Sequence, residues 1–153
     1  MTDQKPIAWF DVSKKRLAYE VLELRRRHPQ FTLYRSSEND IRAQGVISDI
    51  PPGIVAPPLC VEIICPAGYP AVAPKVRVIS PDMSSVQSGH RFHLWSDRSI
   101  CFVRPSDWDI SYCLADVVDK LEDWYFNYVA VTRGLAREMG DVGRVSVEQG
   151  GGG

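Results

Sequence analysis

The period of the apolar residues changes along this chain, and that change limits what it can fold into. From Leu114 onward they recur as Leu114, Val117, Val118, Leu121, Trp124, Tyr125 and Tyr128. That spacing puts them on one face of a long helix, which must rest on a core. Upstream the period is two: Leu59, Val61 and Ile63 alternate with Cys60 and Glu62, the pattern of a strand with one buried face. Strands that precede a long one-sided helix give it a sheet to cover. With 153 residues, 44% of them hydrophobic, there is material for one ordinary core and one domain.

The remaining elements follow from the same signals. Ser13 is a predicted helix cap, with Leu17, Val21 and Leu24 as the inward stripe, Ala18 and Leu22 widening it, and the helix running to about His28. Pro29 ends it, because a proline pushes the residue before it out of helical geometry. Strands are predicted at Phe31–Arg35, Ile41–Ile47, Leu59–Ile64 and Lys75–Ile79, with turn chemistry at 36–40. From Ile79 to about Ser111 there is no period, yet the stretch carries Phe92, Trp95, Phe102 and Trp108. Loops of more than about 12–15 residues in a compact domain are usually functional or disordered, and these aromatics argue for a packed loop that presents a site. Asp109 or Ser111 is expected to cap the long helix, which is expected to reach about Arg137. The result is an α+β domain: an N-terminal helix, a four-stranded antiparallel meander, an active-site loop and a long central helix. Residues 1–144 are assigned to the domain, and 145–153, ending in Gly150–Gly153, to a flexible tail.

Charge excludes some classes. The formal net charge is −1, without the clustered basic excess of a nucleic-acid surface. Lys14-Lys15-Arg16 and Arg25-Arg26-Arg27 fall at the two ends of the first helix, as a solvated face or as a docking surface for an acidic partner. There is no membrane-span pattern and no signal-peptide core. A cytoplasmic location is therefore expected, with the four cysteines as thiols. No Walker or Gly-rich nucleotide loop is present, so no cofactor is expected. His90, His93 and the cysteines lack the spacing of a zinc site, and no metal is expected.

Cys101 stands in the aperiodic stretch, after Ser99-Ile100 and before Trp108. A free cysteine is often just a small buried hydrophobe. It is also a nucleophile and a good leaving group from a thioester. His93 has two readings, an oxyanion donor or loop-ordering group and a structural histidine bonded to backbone. Asp97, Asp107 and Asp109 are candidate bases, or plain turn formers. Trp108 and Trp95 are packing residues, or anchors for a partner.

The order of these motifs resembles the ubiquitin-conjugating enzyme family. Tyr69, Pro70, Pro74 and Val76 match its Tyr-Pro turn into the fourth strand. Cys101 matches its catalytic cysteine, Trp108 its following tryptophan, and Leu114 to Tyr128 its central helix. The resemblance covers roughly residues 13–137. One departure stands out: His93-Leu94-Trp95 occupies the place of the family's His-Pro-Asn, with about two residues fewer before the cysteine.

The resemblance implies a thioester-type bond between Cys101 and the C-terminal glycine of a protein partner; the roles of His93 as an oxyanion donor or loop-ordering group and of Trp108 as a partner anchor are readings of the residue types alone. The shortened loop is similar to bacterial relatives in CBASS antiphage operons, which implies a cGAS-like nucleotidyltransferase as the partner. Two alternatives remain: an inactive binding module of the same fold, and a conventional enzyme that passes a modifier to lysines.

Overall fold

The computed structural model describes residues 8–89 and 91–139. A short helix α1 (Trp9–Val12) leads into α2 (Lys14–Arg27). The sheet follows as β1 (Thr32–Arg35), β2 (Ile41–Ile47), β3 (Leu59–Ile64) and β4 (Lys75–Ser80), in the spatial order β1-β2-β3-β4 with every pair antiparallel. A 3-10 turn (Pro105–Asp107) and the long helix α3 (Leu114–Thr132) complete it. The tail expected at 145–153 lies outside the described residues.

Alternation decides the sheet faces. Ala43 and Ile47 of β2, Leu59, Val61 and Ile63 of β3, and Val76 of β4 are all buried. They form the inner face, which α3 covers with Val117, Val118, Leu121 and Tyr125. On the other face Glu62 sits among cations: Arg77 Nη2 is 2.6 Å away, Arg42 Nη1 3.3 Å, and the Tyr34 hydroxyl donates to it. Gly45, paired with Val61, is required by contact: a Cβ there would lie 2.5 Å from the Phe31 ring.

Several boundaries differ from expectation. Neither Asp109 nor Ser111 caps α3. Asp109 accepts the Ser111 amide at 3.0 Å in a local turn, and Cys113 occupies the cap position, its N–H held by Asp116 Oδ2 at 2.9 Å. The helix stops at Thr132, short of Arg137, and Gly134 (φ 76°) follows in the left-handed region that glycine accepts most readily. In α2 the cap is Ser13, which accepts the Arg16 amide at 3.2 Å. The inward stripe differs, however: Ala18 is exposed, Leu22 is 63% exposed, and Glu20 is buried in their stead. α1, which buries Trp9 and Phe10, has no signal in the period analysis. No described helix is long and apolar enough to cross a membrane.

Candidate functional site: the Cys101 loop and its groove

The stretch after β4 is irregular but closely held. Leu94 bridges to both Gly89 and Ile100, and the Trp95 amide donates to Ser99 O at 2.9 Å. Ile100 N–H donates to Val76 O at 2.9 Å, fastening the loop to β4. Trp124 Nε1 donates to Phe92 O at 2.9 Å, fastening it to α3. Leu94, Ile100, Phe102 and Val103 are buried beneath it. The aromatics expected to pack the loop therefore do so through Phe102 and Phe92, while Trp95 stays 47% exposed.

His93 and Cys101 meet through backbone. The Cys101 N–H donates to the His93 carbonyl at 2.8 Å. His93 adopts φ 51° and Arg98 φ 74°, conformations that few non-glycine residues take. These two residues flank the turn that returns the chain from 93 to 101, and the amide of Cys101 holds the first in place. His93 thus shapes the backbone that presents Cys101.

The Cys101 thiol is half-buried and faces the Val103 carbonyl, with Sγ to O at 3.7 Å. Burial pushes its pKa up, and the Val103 contact offsets this only in part. At neutral pH it is a thiol, so acyl capture would need a donor that is already activated.

The loop carboxylates are committed elsewhere. Asp97 accepts from Lys75 Nζ at 2.7 Å and from the Ser99 amide and hydroxyl at 2.9 and 2.6 Å, bonds that hold its carboxyl far below the usual range. Asp107 accepts from Arg104 Nε at 2.8 Å, and Asp109 serves Ser111. Each is a turn former in this structure.

Trp108 is pinned from two sides. Its Nε1 donates to Pro70 O at 2.7 Å, and its ring packs near Tyr69, Phe102 and Tyr112. It therefore fastens the loop to the Tyr-Pro turn, whose Tyr69-Pro70 bond is cis. Its remaining edge lines a groove of about 670 Å³ between residues 71–75 and 95–108. Val72, Pro74, Trp95, Phe102 and Pro105 supply much of the apolar wall, and Lys75 and Asp97 a polar stretch. Ile100 and Phe102, on either side of Cys101, line the groove; Cys101 does not. Sequence reasoning missed Val72, 54% exposed at the rim. Its signal was an apolar residue set between two prolines in a turn.

The basic ends of α2 also take specific places. Arg16 bonds Glu20, Tyr69 and the carbonyls of Ile110 and Tyr112, and Arg27 bonds Asp116 and Asp119. Lys14, Lys15, Arg25 and Arg26 remain as the solvated part.

No protein-family model and no curated protein matches the sequence. Among solved structures the chain is similar to the Vps23 UEV domain in a complex with ubiquitin: 17% identity, TM-score 0.51, covering 76% of this chain and 83% of that one. It is also similar to the yeast Vps23 UEV domain in complex with a Vps27 PSDP peptide: 19% identity, TM-score 0.56, covering 78% and 83%. At this identity the likeness establishes the fold, an α+β domain of the UBC-like type, in agreement with the fold class read from the sequence.

Proposed function

We propose that this chain is a UBC-like protein-binding module that takes an extended segment of a protein partner into the groove between residues 71–75 and 95–108. The observation that carries this reading is the exposed apolar rim: Val72 is 54% and Trp95 47% exposed, over walls built from Pro74, Phe102 and Pro105. Exposed aromatics over a formed groove are the usual anchors of a peptide interface, and proline-containing segments enter such grooves already extended. The two solved neighbours hold ubiquitin and a PSDP peptide respectively, which makes both reasonable first probes. The test is titration of each probe, carrying a fluorescent label, with the full chain, read by anisotropy. Saturable binding to one probe, weakened at least about tenfold by Val72→Glu or Trp95→Ala, supports the reading. A response unchanged by both substitutions sinks it.

A second reading makes Cys101 an acyl acceptor. It is favoured by the half-exposure of Cys101 between two groove-lining residues. In that chemistry the Cys101 sulfur attacks the carbonyl of a thioester donor, a new S–C bond forms, the donor's S–C bond breaks, and the thiol proton leaves with the departing thiolate. The donor would be the C-terminal glycine of a protein partner. A cGAS-like nucleotidyltransferase of a CBASS operon is the specific candidate that the family resemblance offers. Intact mass after mixing with a glycine-ended thioester checks it. An adduct released by excess thiol and absent in Cys101→Ala supports transfer; an unchanged mass leaves the binding module.

A further inference from the structure

We propose that the groove takes residues 54–58 of a second copy of this chain, so that the protein associates with itself head to tail. The proposal rests on the groove reading above and names its occupant. Val55 is 91% exposed, more than any other large hydrophobic side chain among the described residues. It stands in Pro51-Pro52-Gly53-Ile54-Val55-Ala56-Pro57-Pro58, an apolar run between two proline pairs that links β2 to β3. Ile54 and Ala56 pack on the core, while Val55, Pro57 and Pro58 are exposed.

The segment is built like a ligand. Arg133 Nη2 donates to Val55 O at 3.0 Å, and the Tyr125 hydroxyl donates to Pro57 O. A segment fixed beforehand loses little freedom on docking. Its desolvation costs little as well. Those two carbonyls already have donors, and Pro57 and Pro58 carry no N–H to leave unpaired in an apolar groove. Val72, Pro74, Trp95, Phe102 and Pro105 offer the apolar counterpart. The charges also match. Asp49, just before the loop, and Arg133, at Val55 O, have no ion-pair partner among the described residues, and the polar stretch of the groove is Lys75 and Asp97. Each surface thus carries one charge of each sign.

The segment cannot reach the groove of its own chain. Pro58 leads into Leu59 at one end of β3, whereas Lys75, in the groove wall, pairs with Ile64 at the other end. β3 has six residues, which puts its ends roughly 17 Å apart. The occupant is therefore another copy. Segment and groove are different surfaces, so the contact is head to tail. A segment of this length buries less than the roughly 1,200 Å² of a stable interface, so the association is weak and grows with concentration.

The test is sedimentation velocity of the full chain from about 10 μM to about 500 μM, a range suited to weak contacts. The weight-average mass of wild type should rise above the monomer as concentration rises. Val55→Glu removes the anchor of the segment, and Val72→Glu blocks the groove. Both positions are exposed, and circular dichroism checks their folding. Each variant alone should stay monomeric. Mixed, they should form a one-to-one heterodimer and nothing larger, because one keeps its groove and the other its segment. Monomeric wild type at every concentration would overturn the proposal. So would association that survives either substitution, or a mixture that stays monomeric. The groove reading is judged separately: binding of labelled ubiquitin or PSDP peptide that Val72→Glu weakens keeps it standing even where self-association fails.

Discussion

Glu20 and Leu114 are 94 residues apart in the chain, and the fully buried carboxylate of the first accepts the amide of the second at 2.8 Å. Leu114 opens α3, where amides have no partner inside the helix. The same carboxylate takes Arg16 Nε at 2.9 Å and the Tyr69 hydroxyl. Burial, and then Glu20, push the Tyr69 phenol well above its ordinary pKa, so it remains a donor. One side chain thus joins α2, the Tyr-Pro turn and the start of α3, and the turn runs on into one wall of the groove.

Glu20→Ala should therefore cost about 3–5 kcal/mol, since it leaves Arg16, Tyr69 and the Leu114 amide without their acceptor. Urea unfolding of wild type and variant measures it. Glu20→Gln keeps an acceptor and should cost clearly less. Equal stability of wild type and the alanine variant would contradict the account.

Glu62 predicts a pH dependence. Burial raises its pKa, but the Tyr34 hydroxyl and the guanidiniums of Arg77 and Arg42 more than offset this, so the folded value lies below the ordinary one. Stability from a depressed carboxyl is present in full above the unfolded pKa of about 4.3, and is lost as pH falls through the folded value. Glu62→Gln should be less stable than wild type at pH 7, by about 2 kcal/mol. The gap should narrow in melting curves taken at successively lower pH below about 4. A gap independent of pH would argue against the ionic origin.

Gly45→Ala should destabilise through overpacking. The new methyl would meet the buried Phe31 ring at 2.5 Å in the middle of β2. Such insertions cost about 1–3 kcal/mol. Pairing with Phe31→Leu should recover part of the loss in thermal unfolding, because the clash is with that ring.

The Cys101 thiol predicts an alkylation profile. Burial raises its pKa, so its rate with iodoacetamide should climb steadily through pH 9 without levelling at neutral pH. Peptide mapping of the native protein should find label on half-buried Cys101 and Cys60, with buried Cys65 and Cys113 protected. A rate that levels below pH 8 would mean a stabilised thiolate, and would favour the acyl-acceptor reading over the binding module.

Where local pattern and tertiary demand agree, the sequence was sufficient. β2 and β3 were legible to the residue, because alternation with one face buried leaves a single register. The face of α3 was legible for the same reason, and the Tyr-Pro turn, Cys101 and Trp108 stood in readable order. Other features rest on contacts between residues far apart in the chain. The inward face of α2 turns toward Glu20 because Tyr69 and Leu114 wait there, and no helical period encodes partners so distant. Trp108 reads in sequence as a packing residue or a partner anchor, and only the fold shows it as a strut to Pro70 O. The Asp109–Ser111 turn displaces the cap of α3 to Cys113, since both candidates spend their oxygens on each other. The His28–Asp119 hydrogen bond joins residues 91 positions apart, and only the packing of α2 on α3 brings them together. Periodicity thus determined the elements and their buried faces, because burial acts on each segment by itself. Tertiary packing decided which polar groups meet, because a hydrogen bond needs both partners in place.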